Sequence, residues 1–169
     1  MAIRPATPTD LPAILAITND MITTSTASYF DEPLTLENRQ AWLADRGKLG
    51  YPVLVAEIDG TVAGYASFGD FRAWPGYRYT VEHSVALARP FRGQGIGRSL
   101  VAALLPIAHG LGKHIMIAGV DAENGGSIRF HERLGFERVA HLKEVGHKFG
   151  RWLDLVLLQK FLDAPGSGR

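Results

Sequence analysis

The stretch Val85-Ala86-Leu87-Ala88-Arg89-Pro90-Phe91-Arg92-Gly93-Gln94-Gly95-Ile96-Gly97-Arg98 joins the end of an apolar strand, Val81 to Leu87, to the start of a helix. Pro90 cannot continue a sheet ladder. Three glycines then fall within five residues, at 93, 95 and 97. After them Ile96, Leu100, Ala103, Leu104, Ile107 and Leu111 recur at helical spacing. A glycine turn at a helix start points several main-chain N–H groups outward, where the helix dipole also favours negative charge. Glycine lets a bulky anion approach the backbone closely. The ligand that suits this geometry is a phosphate or pyrophosphate; a tight connection that binds nothing remains the other reading.

Working outward, the Gly-Lys-Ser/Thr of a mononucleotide loop is absent. Gly93-x-Gly95-x-Gly97 is one residue short of the dinucleotide fingerprint, although an acid, Asp121, closes the next apolar run. A nicotinamide-dependent oxidoreductase therefore stays open as an alternative. The order Arg92-x-x-Gly95-x-Gly97 resembles the acyl-coenzyme A pyrophosphate loop of the GNAT N-acetyltransferase superfamily. Asn124-Gly-Gly-Ser127-Ile-Arg-Phe130-His131-Glu-Arg-Leu134-Gly135-Phe136 resembles that family's second cofactor-contacting helix. Phe71-Arg72, Thr80-Val-Glu82-His-Ser84-Val85 and Lys148-Phe-Gly-Arg-Trp152-Leu-Asp154 resemble the phosphinothricin and methionine sulfoximine N-acetyltransferase branch. The likeness runs from about Ile3 to Leu162.

The resemblance implies a mixed α/β fold, with a central, mostly antiparallel twisted sheet flanked by helices. It implies acetyl-CoA as cofactor, held by Val85, Ala86, Leu87, Arg92, Gly93, Gln94, Gly95, Ile96, Gly97, Arg98, Asn124 and Ser127. The N–H groups of Val85 and Leu87 would bind the cofactor, and one of them a developing oxyanion. It implies Glu82 and His131 as catalytic groups. An amino-acid-like acceptor would be bound by Phe30, Arg72, Trp74, Thr80, Glu82, His83 and Ser84. A homodimer is also implied. His131 stands where most of the superfamily carries a tyrosine, a departure from its pattern. A non-catalytic acyl-CoA sensor is a further alternative.

The residues themselves carry part of this. Strand alternation puts Glu82, Ser84 and Ala86 on one face and Val81, His83, Val85 and Leu87 on the other. A carboxylate inside an apolar strand is costly unless paired or raised in pKa. Glu82 is thus either a general base (or ammonium-binding group) or a residue on a solvated strand face. Amine acetylation needs a neutral amine, and an α-amine titrates near ~8. His131 can donate a proton near neutral pH, or it is a half-buried helix histidine with a local hydrogen bond. Arg72, in a loop, suits bidentate carboxylate binding or is a surface arginine. His131-Glu132-x-x-Gly135 lacks the second histidine of a zinc helix, and there is no Gly-x-Ser-x-Gly elbow. No metal is expected, and direct transfer is favoured over a covalent acyl-enzyme.

Composition bounds the rest. The 169 residues, 46% hydrophobic and 21% charged, suit one domain, 1–163, with a short disordered tail, 164–169. A net charge of +1 argues for neither nucleic acid nor an anionic membrane as partner. Cysteine is absent, which excludes disulfides and thiolate chemistry. With no stretch of signal or membrane-spanning length, a cytoplasmic protein is expected.

The predicted order is β-α-α-β-β-β-α-β-α-β-β. The elements are a strand over 2–6, a helix from a Thr9 or Asp10 cap to about Met21, and a helix capped by Thr35. A hairpin follows, Tyr51 to Ile58 and Thr61 to Phe68, turning at Asp59-Gly60. The central strand leads to a helix from Gly97 that kinks or ends early at Pro106. A strand from His114 to Val120 and a helix from Ser127 to Leu134 come next. Val139, His141, Lys143 and Val145 alternate as a strand, and Trp152 to Leu158 forms the last one, apolar on both faces. Tyr29 and Phe30, in the loop between the first two helices, are core anchors or a substrate wall.

Overall fold

A computed structural model describes residues 1–162. The expected tail lies outside the described residues. The strands are β1 (Ala2–Pro5), β2 (Val53–Ile58), β3 (Thr61–Asp70), β4 (Thr80–Leu87), β5 (Ile115–Asp121), β6 (Glu137–Lys148) and β7 (Arg151–Phe161). The helices are α1 (Leu11–Thr24), α2 (Leu36–Lys48), α3 (Ile96–Gly110) and α4 (Gly125–Arg133). The order along the chain is the one the sequence predicts. The strands form one sheet, β1-β2-β3-β4-β5-β7-β6, antiparallel throughout except for β4 beside β5.

β7 takes an interior place in the sheet. Leu153, Val156 and Leu158 are buried, and β7 lies between β5 and β6. β6 takes the edge, mostly exposed and carrying two register shifts, at Arg138/Ala140 and Leu142/Gly146. The simple alternation expected for Val139 to Val145 therefore fails. Bulges twist an edge strand away from pairing with another chain, and here they leave Val139 and Val145 exposed.

Two cores sandwich the sheet. Leu100 and Leu104 of α3 are fully buried against Phe68, Val81, Met116 and Leu158; each such side chain stabilises the fold by about 1.5–3 kcal/mol. On the other face Leu11, Ile14 and Ile17 of α1 pack on Val53, Val55, Tyr65 and Ala86. Pro106 does not end α3, which runs on to Gly110: one missing N–H is tolerable in a helix fixed by so much tertiary burial. Nor does Asp10 cap α1. Its buried carboxylate accepts two hydrogen bonds from the Arg4 guanidinium, both 2.8 Å, and one from the Thr7 N–H. That pairing holds its pKa down at about 2. Thr35 does cap α2, accepting from the Asn38 N–H at 3.2 Å.

β4 and β5 pair only over Thr80–Glu82 and Ile115–Ile117. Beyond Glu82 the ladder stops, while both strands continue. This opening positions everything described next.

Candidate active site

The Ala88 N–H donates to Ala63 on β3 at 2.9 Å. Main-chain groups of a strand point alternately to its two sides, so the Val85 and Leu87 N–H groups point away from β3, toward the gap. Beyond Leu87 comes the glycine turn, where Gly93 and Gly95 adopt φ +78° and +80°, and Gly95 is the residue before α3. A groove of about 550 Å³ runs between this turn and α4, floored by Leu87, Gly93, Gly95 and Gly97 and bordered by Arg98, Arg129 and Arg133. Glycines at a helix N-terminus with three guanidinium groups around them fit a polyanionic ligand of the pyrophosphate type. A Cβ placed on Gly97 would stand 3.6 Å from both Leu87 and Phe130, inside this groove.

An adjoining cavity of about 240 Å³ is lined by Glu82, His83, Ser84 and Val85 of β4, by Gly119 and Asp121 of β5, and by Asn124, Ser127 and His131. Groove and cavity are neighbours along β4, at Val85 and Leu87, and along α4, at Gly126 and Ser127. Surrounding protein partly desolvates the Glu82 carboxyl and pushes its pKa up, against the opposing pull of the Arg72 guanidinium. Oε1 of Glu82 sits over Gly119, where an added Cβ would lie 2.8 Å away.

His131 Nδ1 lies 2.8 Å from the Ser127 carbonyl. A carbonyl only accepts, so Nδ1 carries the proton and Nε2 of the neutral ring is a free lone pair. That Nε2 is buried without a protein partner, as are both nitrogens of His83. The two rings are 5.1 Å apart. Burial lowers the His131 pKa and, with His131 adjacent, drives that of His83 to about 3. Both are neutral near pH 7, so His131 can give up a proton from Nε2 only after taking one.

Not every expected residue reaches this centre. Arg92 and Gln94 are spent on the turn itself: Arg92 Nε donates to the Leu87 carbonyl at 3.1 Å and Gln94 Nε2 to that of Pro90 at 2.9 Å. Ala86 and Ile96 send their side chains into the two cores, so only their main chain is left for a ligand. Asn124 Oδ1 caps α4 through the Ser127 N–H at 3.0 Å while lining the cavity. Phe30, Trp74 and Thr80 lie outside the cavity lining, and Phe30 and Trp74 are 57% and 69% exposed. Arg72 stacks on Phe71 at 4.9 Å and acts on Glu82 through its charge.

Arg129 and Arg133, whose α4 spacing of four residues puts them on one face, and Gly119 join the site without being expected there. In the fold Asp121 is buried, accepting from the Thr26 hydroxyl and from the Glu123 N–H at 3.1 Å.

The family model of the acetyltransferase (GNAT) family matches residues 14–136. Among similar proteins, the L-methionine sulfoximine/L-methionine sulfone acetyltransferase of Salmonella typhimurium is 48% identical over 163 residues, 96% of this chain and 95% of that protein. The phosphinothricin N-acetyltransferase of Alcaligenes faecalis is 42% identical over 92% of this chain and 79% of its own. The solved structure of a phosphinothricin acetyltransferase from Sinorhizobium meliloti in complex with acetyl-CoA superposes with a TM-score of 0.94. It is 33% identical and covers 99% of this chain and 91% of that one. None of these likenesses favours nicotinamide chemistry. With a glycine-turn groove beside a carboxylate-bearing cavity at the β4–β5 opening, and these relatives along almost its whole length, the chain belongs to the GNAT acetyltransferase family.

Proposed function

We propose that this enzyme transfers the acetyl group of acetyl-CoA directly to the α-amino group of a small amino acid or analogue, of the phosphinothricin, methionine sulfoximine or methionine kind. One observation carries the reading: Glu82, with its raised pKa, faces a cavity of about 240 Å³ that adjoins the glycine-lined groove. Gly93, Gly95, Gly97 and the arginines of α3 and α4 would hold the pyrophosphate and other phosphates of acetyl-CoA, which when bound supplies an activated acetyl group and a thiol leaving group. The Val85 and Leu87 N–H groups are placed to polarise a carbonyl in the gap. Glu82 takes the ammonium proton, freeing the amine. Neutral His131 would accept at Nε2 the further proton that the amine nitrogen loses as it bonds to the acetyl carbon, and return it to the thiolate that leaves. Arg72 pairs with the carboxylate of the acceptor.

We place the enzyme in the cytoplasm as a homodimer. The exposed apolar side chains Val139, Val145, Phe149 and Trp152 at the β6–β7 edge support a second copy as partner. Among the described residues no helix is long and apolar enough to cross a membrane.

A thiol-release screen with acetyl-CoA over amino acids, polyamines and peptides tests the reading. Release with amino-acid analogues is expected, whereas cofactor binding without release under any acceptor would leave a sensor. Arg72→Ala should raise KM for carboxylate-bearing acceptors about tenfold or more, ~1.4 kcal/mol, and leave a simple alkylamine unaffected; equal effects on both would remove Arg72 from the acceptor site. Gly119→Ala inserts a methyl against the Glu82 carboxyl, the free end of a flexible side chain. The fold should survive, with an unchanged melting curve, while kcat/KM falls roughly tenfold to a hundredfold, as for other small displacements of a reacting group. Unchanged turnover would mean that Glu82 has no fixed position to lose.

A further inference from the structure

Lys148 ends β6, just before the turn where Phe149 and Gly150 adopt φ +51° and +74°. It is only 2% exposed, unusual for a lysine. Its ammonium group donates to two main-chain carbonyls of the α1–α2 loop, Ser25 at 3.0 Å and Ser28. An ammonium is costly to bury, and this one is held by those two carbonyls, by the Phe149 ring at 5.0 Å and by the charge of Asp31. What it holds is one wall of the cavity: Ala27 lies between those two serines and lines it, beside Met21 of α1. Thr26, next to Ala27, donates to Asp121 on the opposite wall. Tyr29 extends the attachment by donating to the Asp154 carbonyl at 3.3 Å, with its ring lying over Gly146. A Cβ on Gly146 would come within 2.5 Å of that ring. The hairpin end is itself braced, the Asp154 carboxylate accepting from the Glu144 N–H at 2.9 Å and lying 2.7 Å from His141 Nε2.

We infer that Lys148 is a positioning residue for the acceptor: from the β6–β7 turn it fixes the 25–28 segment as a wall of the acceptor cavity, and so sets how tightly the amino acid is held. The inference rests on the acetyltransferase reading for its substrate, but not for its structural claim. Lys148 touches neither reacting atoms nor the groove. Its loss acts on acceptor KM and spares the binding of acetyl-CoA.

The test compares Lys148→Met and Lys148→Arg with the parent enzyme. It uses L-methionine sulfoximine as acceptor at saturating acetyl-CoA, calorimetry for acetyl-CoA, and limited proteolysis of the 24–30 segment as a readout independent of turnover. Lys148→Met should raise KM at least tenfold, change kcat less than about threefold, leave the acetyl-CoA Kd unchanged and speed cleavage within 24–30. Lys148→Arg, which keeps the donors, should recover most of the KM. Parental KM and parental cleavage in Lys148→Met would overturn the inference, as would equal losses of acceptor and acetyl-CoA binding. Should Lys148→Met not fold, Tyr29→Ala loosens the same segment with Lys148 intact; it should raise KM alone, and a parental KM there would overturn the inference. A parent enzyme that acetylates no amino acid would sink the functional reading instead. The proteolysis comparison would then decide by itself whether Lys148 orders the wall.

Discussion

Glu82→Gln is expected to lower kcat/KM for an amino-acid acceptor roughly 10²–10⁴-fold, the range for a lost general base. The substitution keeps size and hydrogen bonding and removes only the titrating group. The pH dependence distinguishes this role from a packing role. Burial raises the Glu82 pKa above its ordinary value of 4.5, and a base works when ionised. The parent rate should therefore climb with pH through that raised pKa, and further as free amine accumulates. In Glu82→Gln the first rise disappears and the second remains, so part of the loss is recovered at high pH. Stability should move the other way. A carboxyl with a raised folded pKa favours the folded state below its unfolded pKa and loses that contribution as pH rises through the folded one. Above that window the parent carries a charge that is only partly desolvated and is offset by the Arg72 guanidinium, so folded Glu82→Gln should melt close to the parent at pH 7–8. A parental rate and pH profile at saturating acetyl-CoA would show that bulk solvent supplies the free amine.

Gly97→Val is expected to weaken acetyl-CoA binding at least tenfold, ~1.4 kcal/mol or more. It is a cleaner probe than Gly95→Val. Gly95 sits at φ +80°, where a β-branched residue strains the backbone regardless of any ligand. Gly97 has no such φ, and its new Cβ would meet Leu87 and Phe130 at ordinary contact distance. The added methyl groups would then project into the groove and compete for its volume. Calorimetry on the folded variant reads the effect directly. Unchanged affinity would exclude this turn as the pyrophosphate site.

Local signals account for what could be read in the sequence. Periodicity gave the element order, Asp59-Gly60 the hairpin turn, with φ of +48° and +76°, and alternation the two faces of β4. The glycine turn was legible because its chemistry lies in consecutive residues. Distant pairing was not legible. The insertion of β7 between β5 and β6 depends on which strand tolerates an edge, and the bulges of β6 break the very alternation used to find strands. Gly119 looks like any strand glycine until Glu82 lies over it. Lys148 enters the sequence only as part of a stretch that resembles the branch, because nothing local says that residues 25–28 will fold onto it. Arg92 and Gln94 were expected at the ligand, yet their side chains turn back on the loop.

The short ladder between β4 and β5 divides the sheet into a block of four strands and a block of three, joined by three residue pairs. Crevices of this kind make a protein's persistence a function of its surroundings. A molecule that binds the native chain and not the unfolded one adds RT ln(1 + [L]/Kd), about 2.7 kcal/mol at a hundred times Kd. An acetyltransferase whose donor lodges across such a seam is thereby mortared by its own reactant. Starved of acyl donor, the chain would lose that increment and spend a larger fraction of its time unfolded. Supply of the reactant would then govern how much enzyme stays folded as well as how fast it turns over.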